Sequence, residues 1–372
     1  MSSSARVEVH GTRRAADAVS ADAAPSALIR QRSLVWWAWA AMAAVLALLV
    51  VASIAFGSVW ISPSRVLAVL FSSERGDATA RTIVWSVRLP RTATAILAGA
   101  ALSVSGLLLQ TLFRNPLADS SILGVSAGAS LGVAFVVLGS SSSIAVIGRY
   151  SGASAIHVTL ASAIGSSIVL LFVLAIAQRV ESPVTVLVAG LMVATIVGAL
   201  VSVLVYFSSL DAARSFVTWS LGSFRGTSWS EVTMLAIATG IGLFVALMLS
   251  KQLDGLLLGD RYAVSLGMNL KLVRALVILS AALCTGATTA FCGPIGFLGI
   301  AVPHLARGVV RHGRHRVLVV ATALLGASLA LFCEIVAQWP GDDRVLPINA
   351  ITALLGAPVV LVVLLRNRRM SQ

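Results

Sequence analysis

The stretch RLPRTATAILAGAALSVSGLLLQTLFRNPLADSSILGVSAGASLG, residues 88–132, decides the fold. Arg88-Leu89-Pro90-Arg91 reads as punctuation that opens an apolar helix, and Arg114-Asn115-Pro116-Leu117-Ala118-Asp119 closes it. A second apolar helix follows at once. It carries Gly124, Gly128 and Gly132 at four-residue spacing, which strips one face of side chains so that another helix backbone can approach closely inside a bilayer. The pattern is that of membrane helices with two marked ends.

The rest of the chain agrees. Of its 372 residues, 58% are hydrophobic and only 11% charged, with a mean hydropathy of +0.97, whereas a soluble domain carries about 25% charge. A chain with so few charges cannot cover a soluble surface, so it is expected to be an all-α, polytopic membrane protein. The formal charge of +13 is almost all arginine, Lys251 and Lys271 being the only lysines. These cations fall between apolar runs, as the positive-inside rule expects, rather than clustering on one soluble face as in nucleic-acid binders.

Ten runs have the length and composition of spans, near 34–57, 92–113, 121–139, 155–178, 183–207, 231–250, 272–291, 293–306, 316–338 and 347–365. The eighth is short enough to be re-entrant. Lys251, Arg261, Lys271 and Arg274 mark one loop as cytoplasmic and Arg307, Arg311, Arg314 and Arg316 another, so an even number of crossings separates them. Both termini then lie inside, with 18 of the 27 basic residues on inside segments. Ten spans divide into two sets of five of opposite orientation, which raises an inverted repeat as a hypothesis. Residues 1–32, rich in Ala, Ser and Arg, are expected to form a disordered cytoplasmic tail, not a signal peptide; residues 33–369 form the membrane domain, with a cytoplasmic loop at about 251–271.

Chemistry within the apolar zone is sparse. Cys284, Cys292 and Cys333 lie in apolar segments without ligand spacing and read as small core residues. Glu334, about one turn from the outer end of its helix, is read as reaching water. No Gly-x-x-x-x-Gly-Lys-Ser/Thr loop occurs, so ATP is not bound by that route, and no chain of buried carboxylates marks a proton-driven carrier. Energy for active transport would enter from another subunit. The loop from Leu253 to Gly267 reads as short helices broken by glycine. Leu258, Tyr262 and Ser265 fall near one face, flanked by Ala263 and Leu266, which makes a small apolar surface for a partner or for lipid headgroups.

These residues resemble the FecCD family of ABC importer permeases, the type II importers for iron-siderophore complexes, haem and vitamin B12. The resemblance is carried by Arg88-Leu-Pro-Arg91, Gly99-Ala-Ala-Leu102 through Ser105-Gly106 and Gln110, Asn115-Pro-Leu117, Leu123-Gly-Val-Ser126, and Gly128-Ala129. Further along it is carried by Gly259-Asp260, Ala263, Leu266-Gly267, Gly293-Pro-Ile-Gly-Phe-Leu-Gly299, Pro303-His304 with Arg307, Leu346-Pro347 and Gly356-Ala-Pro358. It runs from the first span to the last.

The resemblance implies a type II ABC importer permease fold, two cytoplasmic ATPase subunits, an extracytoplasmic solute-binding protein and a second permease subunit, identical or paralogous. No cofactor or metal is expected in this chain; ATP and Mg belong to the partner ATPase. By position, Arg88 and Arg91 match outer rim arginines that meet acidic residues of the binding protein, and a guanidinium fork suits carboxylate. A third basic docking position corresponds to Gln338 here, and Arg344 stands six residues beyond it. Val345 occupies a position often acidic in the family, behind Asp342 and Asp343.

Leu258, Gly259, Asp260, Ala263, Leu266 and Gly267 match the coupling helices that fit the ATPase. Asn115, Pro116, Leu117, Pro303, His304 and Arg307 fall on cytoplasmic ends, His304 as a satisfied helix-end histidine and Pro303 as a kink or terminus. The function implied is translocation of an iron-siderophore complex or related metal chelate through the plasma membrane. The alternatives are a secondary transporter driven by an ion gradient and an intramembrane enzyme or scaffold.

Overall fold

The computed structural model describes residues 36–56, 78–120, 124–138, 155–180, 182–310, 313–338 and 345–368, together with 62, 66 and 69. The expected tail, residues 1–32, and Arg344 lie outside the described residues. The chain divides at Ala44: residues 36–44 of the first unit are helical, and the description that follows concerns the second unit, from Val45 on.

Among the described residues the structure is helical throughout, without strands. Seven helices are long and apolar enough to span a membrane: α1 (Trp36–Ala55), α2 (Thr79–Phe113), α4 (Ala155–Arg179), α5 (Pro183–Tyr206), α7 (Trp229–Met248), α10 (Leu270–Cys292) and α12 (His315–Ala337). Two shorter ones, α3 (Val125–Leu138) and α11 (Leu298–Val310), and α13 (Ile348–Arg368), apolar over Ile348–Leu361, complete the ten apolar runs of the sequence. Between them lie three short, more polar helices, α6 (Leu210–Ser220), α8 (Ser250–Leu257) and α9 (Asp260–Ser265). Helix α6 falls where the sequence was read as an outer loop. Its 11 residues with Asp211 and Arg214 are too short and polar to register as a span, and only Phe216 is buried.

Pro90 does not open its helix. Helix α2 starts more than ten residues earlier and passes through a π-helical segment, Ile83–Arg88, in which the Leu89 N–H reaches back to the Val84 carbonyl. The Trp85 carbonyl thereby loses its α partner to Val84, and the next N–H along belongs to proline, which has none. The Trp229 indole N–H donates to that carbonyl at 2.8 Å instead, so the helix continues unbroken through Arg-Leu-Pro-Arg.

Helix α2 is the axis of the bundle. In its most apolar window 89% of residues are buried, against 22%, 17% and 28% for α4, α5 and α7, whose outer faces leave Ile168, Ile196 and Phe244 exposed. Two core clusters share α2. One gathers Leu107, Leu108 and Leu109 with Leu253, Val277, Ile278 and Leu318; the other gathers Ala95, Ala98 and Leu102 with Leu298, Leu331 and Ile348.

Between helices in lipid, close backbone approach replaces the hydrophobic effect as the source of stability. A Cβ built on Gly128 or Gly132 of α3 would collide with the carbonyl of Gly165 or Ala161 on α4. Gly124 lies before the helix at φ +76° and faces α5 instead, near Gly190 and Ala194. Similarly, Gly106 of α2 is pressed against the backbone of Gly299 on α11.

Thirteen residues of α11 reach only about 20 Å, and the stretch Gly293–Phe297 before it is irregular, with Gly293 and Phe297 both at positive φ. Irregular backbone at membrane depth needs internal partners. Asn349 supplies them: its Oδ1 accepts from the Gly296 N–H at 2.9 Å and its Nδ2 donates to the Pro294 carbonyl at 2.6 Å.

Candidate functional site

The polar residues of the bundle gather at two ends. At the first, α1 runs out and leaves the carbonyls of its last turn without helical donors. Two arginines on one face of α2 take them. Arg88 donates to the Ile54 and Ala55 carbonyls at 2.5 and 2.9 Å, and Arg91 to the Ser53 carbonyl at 3.1 Å. Arg91 also forms an ion pair with Glu334 of α12 at 2.6 Å. The other carboxylate oxygen accepts from the Ser53 hydroxyl at 2.9 Å, which in turn receives the Thr92 hydroxyl, and the Gln338 amide closes on the first oxygen.

This corrects two expectations. Arg88 and Arg91 are 3% and 4% exposed, so they are buried helix caps in this conformation rather than rim charges; Glu334, 3% exposed, pairs with Arg91 rather than reaching water. The reason is geometric. Residues 88 and 91 are neighbours on one helix face, and that face abuts the end of α1, where a cation complements the terminal carbonyls. Gln338 occupies the expected docking position, yet it too is buried against Glu334. Among the described residues the exposed cations at this end include Arg81, Arg214 and, in the stretch before α7, Arg225. Arg225 lies in a segment tied down by the Thr94–Thr227 hydroxyl contact at 2.7 Å and by Trp229.

At the opposite end α2 stops in a Schellman turn. Arg114 adopts φ +47°, its N–H bonds the Thr111 carbonyl and that of Asn115 bonds Gln110. Asn115 then folds the chain back, its side chain accepting from the Leu117 N–H at 2.9 Å while its carbonyl accepts from Ala118, with Pro116 at the turn position that its fixed φ suits. The left-handed conformation, unfavourable for a side-chain-bearing residue, is held by the Arg114 side chain. Its Nε donates to the Leu256 carbonyl at 3.1 Å and its Nη2 meets Asp260 at 2.5 Å. The other Asp260 oxygen meets Arg274 of α10 at 2.8 Å. One carboxylate therefore ties α9 both to the end of α2 and to the start of α10.

Pro303 lies inside α11 and neither ends nor starts it. Lacking an N–H, it leaves the Gly299 carbonyl without its helical donor, and Gln110 of α2 donates there at 3.1 Å. The same Gln110 accepts from Arg307 at 2.8 Å, and His304 Nε2 donates to the Pro116 carbonyl at 3.0 Å. The Asn115–Leu117 turn and the Pro303–Arg307 segment, 188 residues apart, are thus one assembly. Beside it, His315 at the start of α12 bridges Asp254 of α8 at 2.6 Å and Thr111 of α2 at 2.9 Å. A cavity of about 590 Å³ opens between Gln110, Arg114, Arg307 and His315.

The loop between α7 and α10 forms two short helices parted by Gly259, whose φ of +112° excludes side chains in practice. Its outward residues are Leu257, Leu258, Tyr262, Val264 and Leu266, each 50–65% exposed. Ala263 is fully buried and packs inward instead of flanking that surface. Gly267 (φ +80°) turns the chain toward α10 with open space around it. Gln110, Arg114, Asp254 and His315 had no assigned role in the sequence; the pattern to look for was a polar residue facing a helix end or a proline-orphaned carbonyl. Among the described residues no cluster of three or more His, Cys, Asp or Glu could hold a metal, and all three cysteines are free and buried.

Among the described residues, ten apolar helices with α2 central among them, polar assemblies at both ends and an apolar-tipped loop beyond define a multi-pass membrane permease. The chain belongs to the FecCD transport family, whose model matches residues 45–366, and is accordingly a permease of the ABC importers, whose ATPase is a separate subunit. It is 33% identical to the vitamin B12 import system permease protein BtuC of Citrobacter koseri over 341 residues, 91% of this chain and 97% of the relative. With BtuC of Klebsiella pneumoniae subsp. pneumoniae it shares 35% over 317 residues, 85% and 89% of the two chains. A solved inward-facing conformation of a putative metal-chelate type ABC transporter superposes with a TM-score of 0.75 at 29% identity, covering 88% of this chain and 98% of the other.

Proposed function

We propose that the chain carries a bulky metal chelate into the cytoplasm across the plasma membrane, both termini lying inside, on energy from ATP hydrolysed by a partner. The observation that carries this reading is the α8–α9 loop. Five large apolar side chains, from Leu257 to Leu266, are held out beyond the membrane helices on a base fixed by Asp260. Apolar residues exposed together outside the bilayer mark a binding surface, and the ATPase is its occupant on this reading. Asn115, Pro116, Leu117, Pro303, His304 and Arg307 transmit its movement to α2 and α11.

The binding protein engages the Arg88 end. There Arg88 and Arg91 position the end of α1 from within, and exposed cations, Arg225 and the expected Arg344, meet acidic groups of the partner. The second permease subunit completes the pathway. Support for a chelate comes from the metal-chelate transporter of like fold and from relatives named for vitamin B12, itself a cobalt chelate. An iron-siderophore complex is the expected cargo; the BtuC relatives favour a corrinoid as the second reading.

The test is uptake into proteoliposomes holding this chain, its ATPase and its binding protein, with iron-siderophore and cobalamin offered separately. Uptake is expected only with ATP and both partners, for the chelate that the binding protein retains. Uptake by this chain alone under an ion gradient would overturn the reading in favour of a secondary transporter.

A further inference from the structure

A second basic cavity, of about 300 Å³, opens where α4 ends and α10 begins. Arg179 from the last turn of α4 and Lys271 and Arg274 from the first turns of α10 line it, with Asp260 as the carboxylate among the described lining residues. That carboxylate is already shared between Arg274 and Arg114. Among the described residues that line it, three cations stand against this one divided anion, and Arg179 and Lys271 are exposed. The transport reading uses its Asp260–Arg274 pair as the base of α9 but gives no role to Arg179 or Lys271.

The same pair of helices carries a second feature further into the bundle. An apolar groove of about 310 Å³ runs between α4, α7 and α10, floored by Ala163, Leu170, Ala282 and Gly286. Its nearest α10 residue, Leu279, lies five residues from Arg274, about 8 Å along the helix. A cationic cavity at the ends of two membrane helices, followed along those helices by an apolar groove, matches the two parts of one molecule: a phosphate-bearing head and an acyl chain. Exposed Leu272, next to Lys271, and exposed Phe172, seven residues or about 10 Å along α4 from Arg179, give this side of the bundle an apolar surface, which suits an occupant entering from lipid rather than from solution.

We propose that this site binds an anionic glycerophospholipid, its phosphate between Arg179, Lys271 and Arg274 and one acyl chain in the α4–α7–α10 groove. Basic pockets between membrane helices select anionic headgroups because each cation near the surface adds to the attraction, whereas a zwitterionic head brings its own ammonium into the cavity. Because Arg274 also holds Asp260, the bound phosphate sits one side chain away from the anchor of α9.

The test is native mass spectrometry of the full-length protein released from detergent with added phosphatidylglycerol or phosphatidylcholine. The unmodified chain is expected to retain one phosphatidylglycerol more tightly than phosphatidylcholine. Arg179→Gln with Lys271→Gln, both exposed and remote from the core, is expected to weaken that retention by about tenfold or more, leaving phosphatidylcholine binding and the melting temperature unchanged. Equal retention of the two lipids, or unchanged phosphatidylglycerol binding in the variant, overturns the proposal. Displacement of the lipid by millimolar inorganic phosphate alone overturns the lipid source in favour of a soluble anion. Unchanged lipid binding with loss of ATPase co-purification assigns the cations to that partner instead.

Discussion

The two ends of this bundle treat charge in opposite ways. At the Arg88 end the carboxylate and both guanidinium groups are buried, and every contact closes inward on α1 and α12. At the Asn115 end the central carboxylate, Asp260, is 37% exposed, its Arg114 partner is 45% exposed, and the side chains beyond them are apolar and point outward. The difference teaches that the first end is a structural clamp whose polar groups satisfy one another, and the second a platform whose polar groups set the posture of a loop for something outside the chain.

The first way to break the comparison is at the clamp. Glu334→Ala leaves the Arg91 guanidinium buried without its counter-ion, which costs about 3–5 kcal/mol in stability. Arg91→Met together with Glu334→Leu removes both charges and is expected to recover most of that loss. The measurement is the unfolding midpoint of the purified protein in detergent, and a single variant as stable as the parent would refute the clamp. For the same reason Arg88→Glu with Arg91→Glu, which would leave a rim arginine pair folded, is expected here to abolish folding, since it sets two further carboxylates beside Glu334.

The second prediction falls between the two ends, at Gln110. Its amide holds the carbonyl that Pro303 orphans, and its oxygen holds Arg307. Gln110→Ala strips partners from two buried groups, at a cost of about 1–3 kcal/mol, less than at the clamp because Arg307 sits near the surface and can recruit water. Gln110→Glu keeps the acceptor for Arg307 but loses the donor to Gly299. If both variants melt together with the parent, α2 and α11 are not joined through this residue.

How far the sequence alone reaches is itself divided along this line. The ten apolar runs were legible because span length and hydropathy are local properties. The two short helices around Gly259 were legible because glycine marks the turn. The clamp was not. Ser53, Arg91 and Glu334 are 281 residues apart at the extremes, and the rule that a span-end cation faces solvent fails when the neighbouring helix ends at the same depth and offers bare carbonyls. Arg-Leu-Pro-Arg misled in a related way. Proline reads as a start, but the π-turn before it and the indole of Trp229 remove the reason for a start. At the other end Arg114-Asn115-Pro-Leu read correctly as the close of the helix, while its tie to His304 depends on a contact across 188 residues that no spacing announces.

The third prediction tests the platform's anchor. Asp260 is partly exposed and its two ion pairs are correspondingly weak, so Asp260→Asn is expected to cost only about 0.2–1 kcal/mol in stability. Its effect on coupling is expected to be larger, because the α9 helix loses both tethers, to α2 and to α10. ATP hydrolysis in the reconstituted importer should then proceed with less substrate moved per ATP. An Asn variant with unaltered coupling would mean that the loop is held by packing of Ala263 and Leu256 alone.

The smallest effect on folding, and the sharpest separation of the two ends, belongs to Leu258→Ser with Leu266→Ser. Both side chains are at least 60% exposed, so serine removes no packed contact and the unfolding midpoint is expected to stay within the roughly 0.5 kcal/mol typical of surface changes. If the patch is a seat for the ATPase, the same substitutions remove two apolar anchors from the centre of an interface, where truncation of a buried anchor costs about 2 kcal/mol or more apiece. Co-purification of the ATPase should then fall steeply while the permease remains folded. A membrane-resting loop would behave differently: the variant would keep its ATPase and lose only affinity for the bilayer surface. The clamp at the Arg88 end permits no such dissociation, because its charged groups, Arg88, Arg91 and Glu334, are all buried and structural.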